Sequence, residues 1–96
     1  HLNDSAGLIQ VYNAFGIIYK IKGIYDSAAY YYQQSIKICE KTGNMKPISA
    51  SLINLGKVYL ALGDLENAKK YFSESIPFAE KFHKINHLVI IYSNLG

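Results

Sequence analysis

Sliding the 96-residue sequence against itself by forty positions superimposes three glycines and much of an apolar pattern. This internal repeat restricts the fold more than any other feature. Gly16 falls on Gly56 and Gly96, Tyr19 on Tyr59, and Gly23 on Gly63. Ala28 meets Ala68, Tyr31 meets Tyr71, Ser35-Ile36 meets Ser75-Ile76, and Glu40-Lys41 lands on Glu80-Lys81. Conservative pairs fill the intervals: Phe15 with Leu55 and Leu95, Tyr32 with Phe72, Asp26 with Glu66. A period of roughly 20–50 residues marks stacked supersecondary units, each too small to bury its apolar face alone.

Each unit reads as two helices. Ile48, Leu52, Leu55, Tyr59 and Leu62 recur at three- and four-residue steps, which places them on one helical face. Gly63 can take the left-handed conformation that stops a helix, and Asp64 is the expected N-cap of the next. There Leu65, Ala68, Phe72, Ile76 and Ala79 keep the helical spacing as far as Phe82. The first unit repeats the scheme with helices near Ser5–Ile21 and Tyr25–Thr42 around a turn at Lys22-Gly23-Ile24. Gly43 and Asn44 are expected to act as a second stop-and-cap pair, and Pro47 falls in the first turn of the following helix. Pro77 predicts a kink, since it cannot donate to the carbonyl of Ser73 and its ring crowds that turn. His83-Lys84 stands where the first boundary has Gly43-Asn44, which predicts a different turn there. A third unit opens near Ile85 and is cut off at Gly96. The sustained alternation of strands is absent, so the fold class is all-α.

Within these units run Tyr12-x-x-Phe15-Gly16-x-x-Tyr19 followed by Ala28-x-x-x-Tyr32, then Leu52-x-x-Leu55-Gly56-x-x-Tyr59 followed by Ala68-x-x-x-Phe72, and lastly Tyr92-x-x-Leu95-Gly96. In this the chain resembles the tetratricopeptide repeat family, whose helix–turn–helix unit carries an aromatic, leucine-glycine, tyrosine, alanine and aromatic at such spacings. The period of forty exceeds the family's usual ~34 residues, and Glu40 and Glu80 stand where many of its repeats have proline. This matches the longer-helix subclass. The resemblance implies a right-handed superhelical array of antiparallel hairpins, an α-solenoid of about two and a quarter repeats. The units would lie near 5–43, 44–83 and 84–96, as one domain fragment. Because the chain opens at His1 without methionine and stops inside the pattern, it is expected to be a piece of a longer protein. Glycine and alanine at the notched positions would let helices approach closely, and replacing Gly56 by leucine would overpack the crossing.

The resemblance also implies a function, namely protein or peptide binding on the concave face, which the first helix of each unit lines. Carried onto this sequence, the inward-facing candidates are Gln10, Asn13, Ile17 and Lys20 in the first unit. In the second they are Ala50, Ile53, Asn54 and Lys57, and in the third Ile90, Ser93 and Asn94. A side-chain amide both donates and accepts, so Asn54 and Asn94 suit the backbone of an extended peptide. Lys20 and Lys57 suit acidic partner residues or a C-terminal carboxylate. Chaperone-binding members clamp such carboxylates with lysine, arginine and asparagine; this chain has no arginine and lacks the full set. The alternative implied function is a sensory or regulatory segment of a bacterial signalling or transcription-regulatory protein.

Composition limits other classes. Half of the residues are hydrophobic and 18% are charged, which excludes a disordered chain. The net charge of +3 comes from lysines dispersed along the chain, whereas a nucleic-acid surface concentrates charge and favours arginine; nucleic acid is not an expected partner. No apolar run approaches the roughly 18 residues of a membrane span. His83 and His87 straddle a turn and have no third ligand, so no metal is expected. Cys39 aligns with Ala79 and reads as packing. Tyr32 reads as core, Tyr31 as edge and Tyr30 as outside. Phosphate loops, nucleophile elbows and paired carboxylates are missing, so neither enzymatic activity nor a cofactor is expected. A cytoplasmic setting is expected, with the periplasm left open. The apolar segment Leu88-Val89-Ile90-Ile91-Tyr92 lacks a covering helix, which predicts self-association through the C-terminal helix.

Overall fold

The computed structural model describes residues 5–95, all of whose regular structure is helical: α1 (Ser5–Ile21), α2 (Tyr25–Thr42), α3 (Ile48–Ala61), α4 (Leu65–Lys81) and α5 (Ile85–Leu95). Gly96, the third glycine of the repeat, lies outside the described residues. Tight turns fold α1 onto α2 and α3 onto α4, and the pairs then stack through α2 and α3. In addition α1 touches α3 and α3 touches α5, whereas α2 and α4 are not in contact. Rods that meet on one side and part on the other form a curved layer, with α1, α3 and α5 on the inside of the bend. The result is an all-α helical repeat solenoid.

The notched positions explain how closely the helices pair. A Cβ built on Gly16 would lie 2.6 Å from Cε1 of Tyr32, and one on Gly56 would lie 3.0 Å from Cε1 of Phe72. The aromatic ring of each second helix thus lies against the bare backbone of the first. Ala28 and Ala68, 0% and 2% exposed, supply the matching small residue. Tyr32 packs with Ala28, Ala29, Leu55 and Val58, so the ring that fills the first hairpin also meets the second. Phe72 does the same among Ile53, Ala68, Ala79 and Ile91. Ile9, Cys39, Ile48 and Leu52 complete the core nearer the starts of α1 and α3.

The turns follow the sequence in part. Gly23 and Gly63 sit at φ 78° within the hairpins, and Asp64 accepts from the backbone N–H of Asn67, the capping expected of it. Gly43 closes α2 at φ 77°, its N–H donating to Cys39. Asn44, however, does not cap α3: that helix begins four residues later behind Pro47, with no side-chain cap. The expected difference at the second boundary is present. His83 takes a left-handed φ of 55°, and its neighbour Lys84 donates to Ala79 at 2.8 Å, just as Asp64 donates to Tyr59 at 2.9 Å. The α4–α5 turn therefore copies the short turns inside the hairpins, with histidine in the glycine position. Helix α4 continues through Pro77 to Lys81.

Hydrogen bonds between side chains tie the hairpins together at two different levels. At the first junction the Oγ atoms of Ser35 and Ser51 lie 2.8 Å apart, and each is within 3.0 Å of Oδ1 of Asn13. Ser51 donates to Asn13, and the single Ser35 proton has Asn13, Ser51 and the Tyr32 carbonyl within 2.9 Å as alternative acceptors. Forty residues on, the same three positions hold Ile53, Ser75 and Ile91. There the isoleucines pack together and Ser75 donates back to the Phe72 carbonyl at 2.6 Å. The second junction has its polar contact elsewhere, between Ser49 Oγ and His87 Nδ1 at 2.8 Å.

Candidate functional site

A face for a ligand has to come from α1, α3 and α5, the rods on the inside of the curve. On α1, Gln10 and Ile17 are exposed, while Asn13 and Lys20 are half-buried. On α3, Ala50, Asn54 and Lys57 are half-buried, and on α5 Ser93 is exposed with Ile90 and Asn94 half-buried. Ile53 departs from this set. At 3% exposure it belongs to the core with Phe72 and Ile91, because it occupies the register of Asn13 at the apolar junction. It gives a ligand no surface, and the inward-facing candidate is corrected at that position.

The polar candidates differ in what they have free. Asn13 commits its oxygen to Ser35 and Ser51 and keeps its NH2 group as a donor. Asn94 donates its amide to the carbonyl of Ile90 at 2.8 Å, within its own helix. Asn54 forms no such internal bond. The two asparagines offered as rungs of one ladder are therefore in different states.

Charge on this face is cationic. Burial, and after it the charge of Lys57, lowers the pKa of Lys20. The two ammonium groups thus repel one another, and neither has an ion-pair partner among the described residues. Lysines held near each other without a counter-ion favour an anionic occupant.

A hollow of about 320 Å³ opens at the other end of α1, lined by Ala6, Ile9, Gln10 and Asn13 together with Asn44, Lys46, Pro47 and Lys84. Of these, only Gln10 and Asn13 are inward-facing candidates by sequence. Lys46 and Lys84 belong to inter-helix turns, which carry no periodic signal, and they converge only because the stacking brings successive turns together.

Residues with other chemistry are occupied by structure. Cys39 is fully buried, and burial pushes its thiol up to about 11, away from the reactive thiolate. Tyr31 is an edge residue stacked on Tyr19 with centroids 5.5 Å apart, Tyr32 is core and Tyr30 is exposed. Among the described residues no three of histidine, cysteine, aspartate and glutamate gather into a metal-binding group, and no helix is long and apolar enough to cross a membrane.

Comparison with known proteins agrees with the repeat. The tetratricopeptide repeat family model matches residues 9–42 and 49–80. Response regulator aspartate phosphatase A of Bacillus subtilis (strain 168) is 32% identical over 77 residues, a stretch covering 72% of this chain and 20% of that protein. The chain therefore spans only about a fifth of that curated relative's length. No solved structure matches the chain.

Proposed function

Since the chain belongs to the tetratricopeptide repeat family, whose repeats generally mediate protein–protein interaction, we propose that it is a non-catalytic module that binds an extended protein or peptide segment along α1, α3 and α5. The observation that carries this reading is the packing asymmetry, in which the first helices of successive units touch while α2 and α4 stand apart. That leaves a trough bearing Gln10, Ile17 and Ser93 exposed, and Asn54 and Lys57 partly so. Lys20 and Lys57, without an ion-pair partner among the described residues, favour an acidic partner. The test is a peptide array probed with the chain, followed by titration of the strongest peptide against an Asn54→Ala, Lys57→Ala double variant. Affinity falls about ten-fold or more on this reading, with helicity by circular dichroism unchanged. Unchanged affinity refutes it.

The regulatory reading rests on the phosphatase relative, whose name places that protein in signalling. In this form of the proposal the array is the peptide-receiving part of a longer signalling regulator. Self-association through α5 is supported by the exposed Ile85, Val89 and Tyr92, at 70%, 60% and 54%. A monomer by light scattering at millimolar concentration refutes it.

A further inference from the structure

We infer that the hollow between α1 and the starts of α3 and α5 is a carboxylate-binding pocket, which receives an acidic group of the bound segment. This rests on the reading of the trough as a peptide site, and it places the anchor at the end of the α1 row that carries Gln10 and Asn13. The chemistry of the lining is one-sided among the described residues: Lys46 and Lys84 supply two ammonium groups, Asn13, Gln10 and Asn44 supply carboxamides, and no described aspartate or glutamate lines the space. Neither lysine has an ion-pair partner among the described residues.

Asn13 is oriented by its neighbours. Its oxygen is held by the hydroxyls of Ser35 and Ser51, so the group it has left for a ligand is a donor. The adjoining start of α3 adds a further positive element, because no side chain caps it and Pro47 sits at its N-cap. Uncapped N–H groups at a helix start carry partial positive charge and favour anions. Ile9 and Pro47 form an apolar wall. At about 320 Å³ the space lies at the small end of ligand pockets, a size for one side chain or chain terminus and not for a folded surface.

An acidic side chain and a C-terminal carboxylate share this chemistry, and three probe peptides separate them. Acetyl-Ala-Ala-Ala-Glu-amide carries only the side-chain carboxylate, acetyl-Ala-Ala-Ala-Gln with a free terminus carries only the terminal one, and acetyl-Ala-Ala-Ala-Gln-amide carries neither. Each is titrated into the isotope-labelled chain and followed by amide and side-chain NH2 chemical shifts. The expected result is a saturable shift of the Asn13 NH2 pair and of the Lys46, Ile48 and Ser49 amides with one or both carboxylate peptides, and none with the neutral peptide. The Lys46→Gln, Lys84→Gln variant weakens that binding about ten-fold or more. Lys69→Gln with Lys70→Gln, the same loss of charge on exposed positions of α4, leaves it unchanged.

Equal weakening by both double variants overturns the pocket, since general attraction to a cationic surface then accounts for the binding. Shifts confined to Ile17, Asn54 and Lys57, and unaffected at Lys46 and Lys84, overturn the pocket while leaving the trough standing. Equal response to the neutral peptide overturns the requirement for a carboxylate.

Discussion

Replacing Gly16 by alanine is expected to destabilise the chain, and the same change at Gly56 is expected to leave it nearly unaffected. In both helices alanine gains up to about 1 kcal/mol in helix propensity. Against this stands the ring beneath the new methyl. At Gly16 the Cβ would sit 2.6, 2.8 and 2.8 Å from Cε1, Cδ1 and Cζ of Tyr32. Carbon contacts settle near 3.5–4.0 Å, so the ring has to retreat by about 1 Å. It has no free direction, being 0% exposed and packed on Leu55 and Val58 of the next hairpin. Overpacking of this kind costs about 1–3 kcal/mol, and with the propensity gain taken off a net loss of up to about 2 kcal/mol is left. At Gly56 the distances to Phe72 are 3.0–3.1 Å, so a shift of a few tenths of an ångström suffices, and the two effects roughly cancel. For a domain of this size 1 kcal/mol moves the melting temperature by about 4–8 °C. Urea and thermal melts followed by far-ultraviolet circular dichroism measure both variants. If Gly16→Ala melts at or above the wild type, or if Gly56→Ala is the more damaged of the two, the account of the notches is wrong.

Two further outcomes follow from buried polar groups. The Tyr32 hydroxyl is buried without a hydrogen-bond partner, and burial pushes its pKa up to about 12; Tyr32→Phe removes the orphan, copies Phe72, and should raise stability by about 1 kcal/mol in the same melts. Burial, then the charge of Lys84, lowers the pKa of His87 below its usual 6.5, so the unfolded chain takes up the proton first. The stability linked to this group is intact above pH 6.5 and is lost as the pH falls through the lowered value. Urea midpoints measured between pH 7.5 and 5 should decline, and His87→Gln should flatten the decline; an equal slope in the variant assigns the effect to other groups.

The helices and their pairing were legible because they depend on local periodicity and on residues with a single physical use. Gly16, Ala28 and Tyr32 keep fixed spacing, and a forty-residue shift reproduces them. Side-chain roles at the junctions were less legible. Asn13 and Ile53 share a register, and so do Ser51 and Ile91, yet one pair of positions forms a hydrogen-bonded layer and the other an apolar one. Treating the register as equivalent placed Ile53 on the ligand face, whereas its apolar side chain is packed inside. Asn44 followed the stop-and-cap pattern, but the extra residues through Pro47 carried the start of α3 beyond its reach. The hollow at Lys46 and Lys84 was hidden for the related reason that turns converge only after the units stack.

The two chemically distinct junctions also make the order of the units matter. Were the hairpins transposed, so that the first were followed directly by α5, Asn13 would find Ile91 where Ser51 now stands and would lose one of its two hydroxyl partners. Ser49 would likewise lose His87. Although the halves look interchangeable in outline, each carries an address that admits only one successor, and a shuffled gene would encode the same rods with mismatched joints.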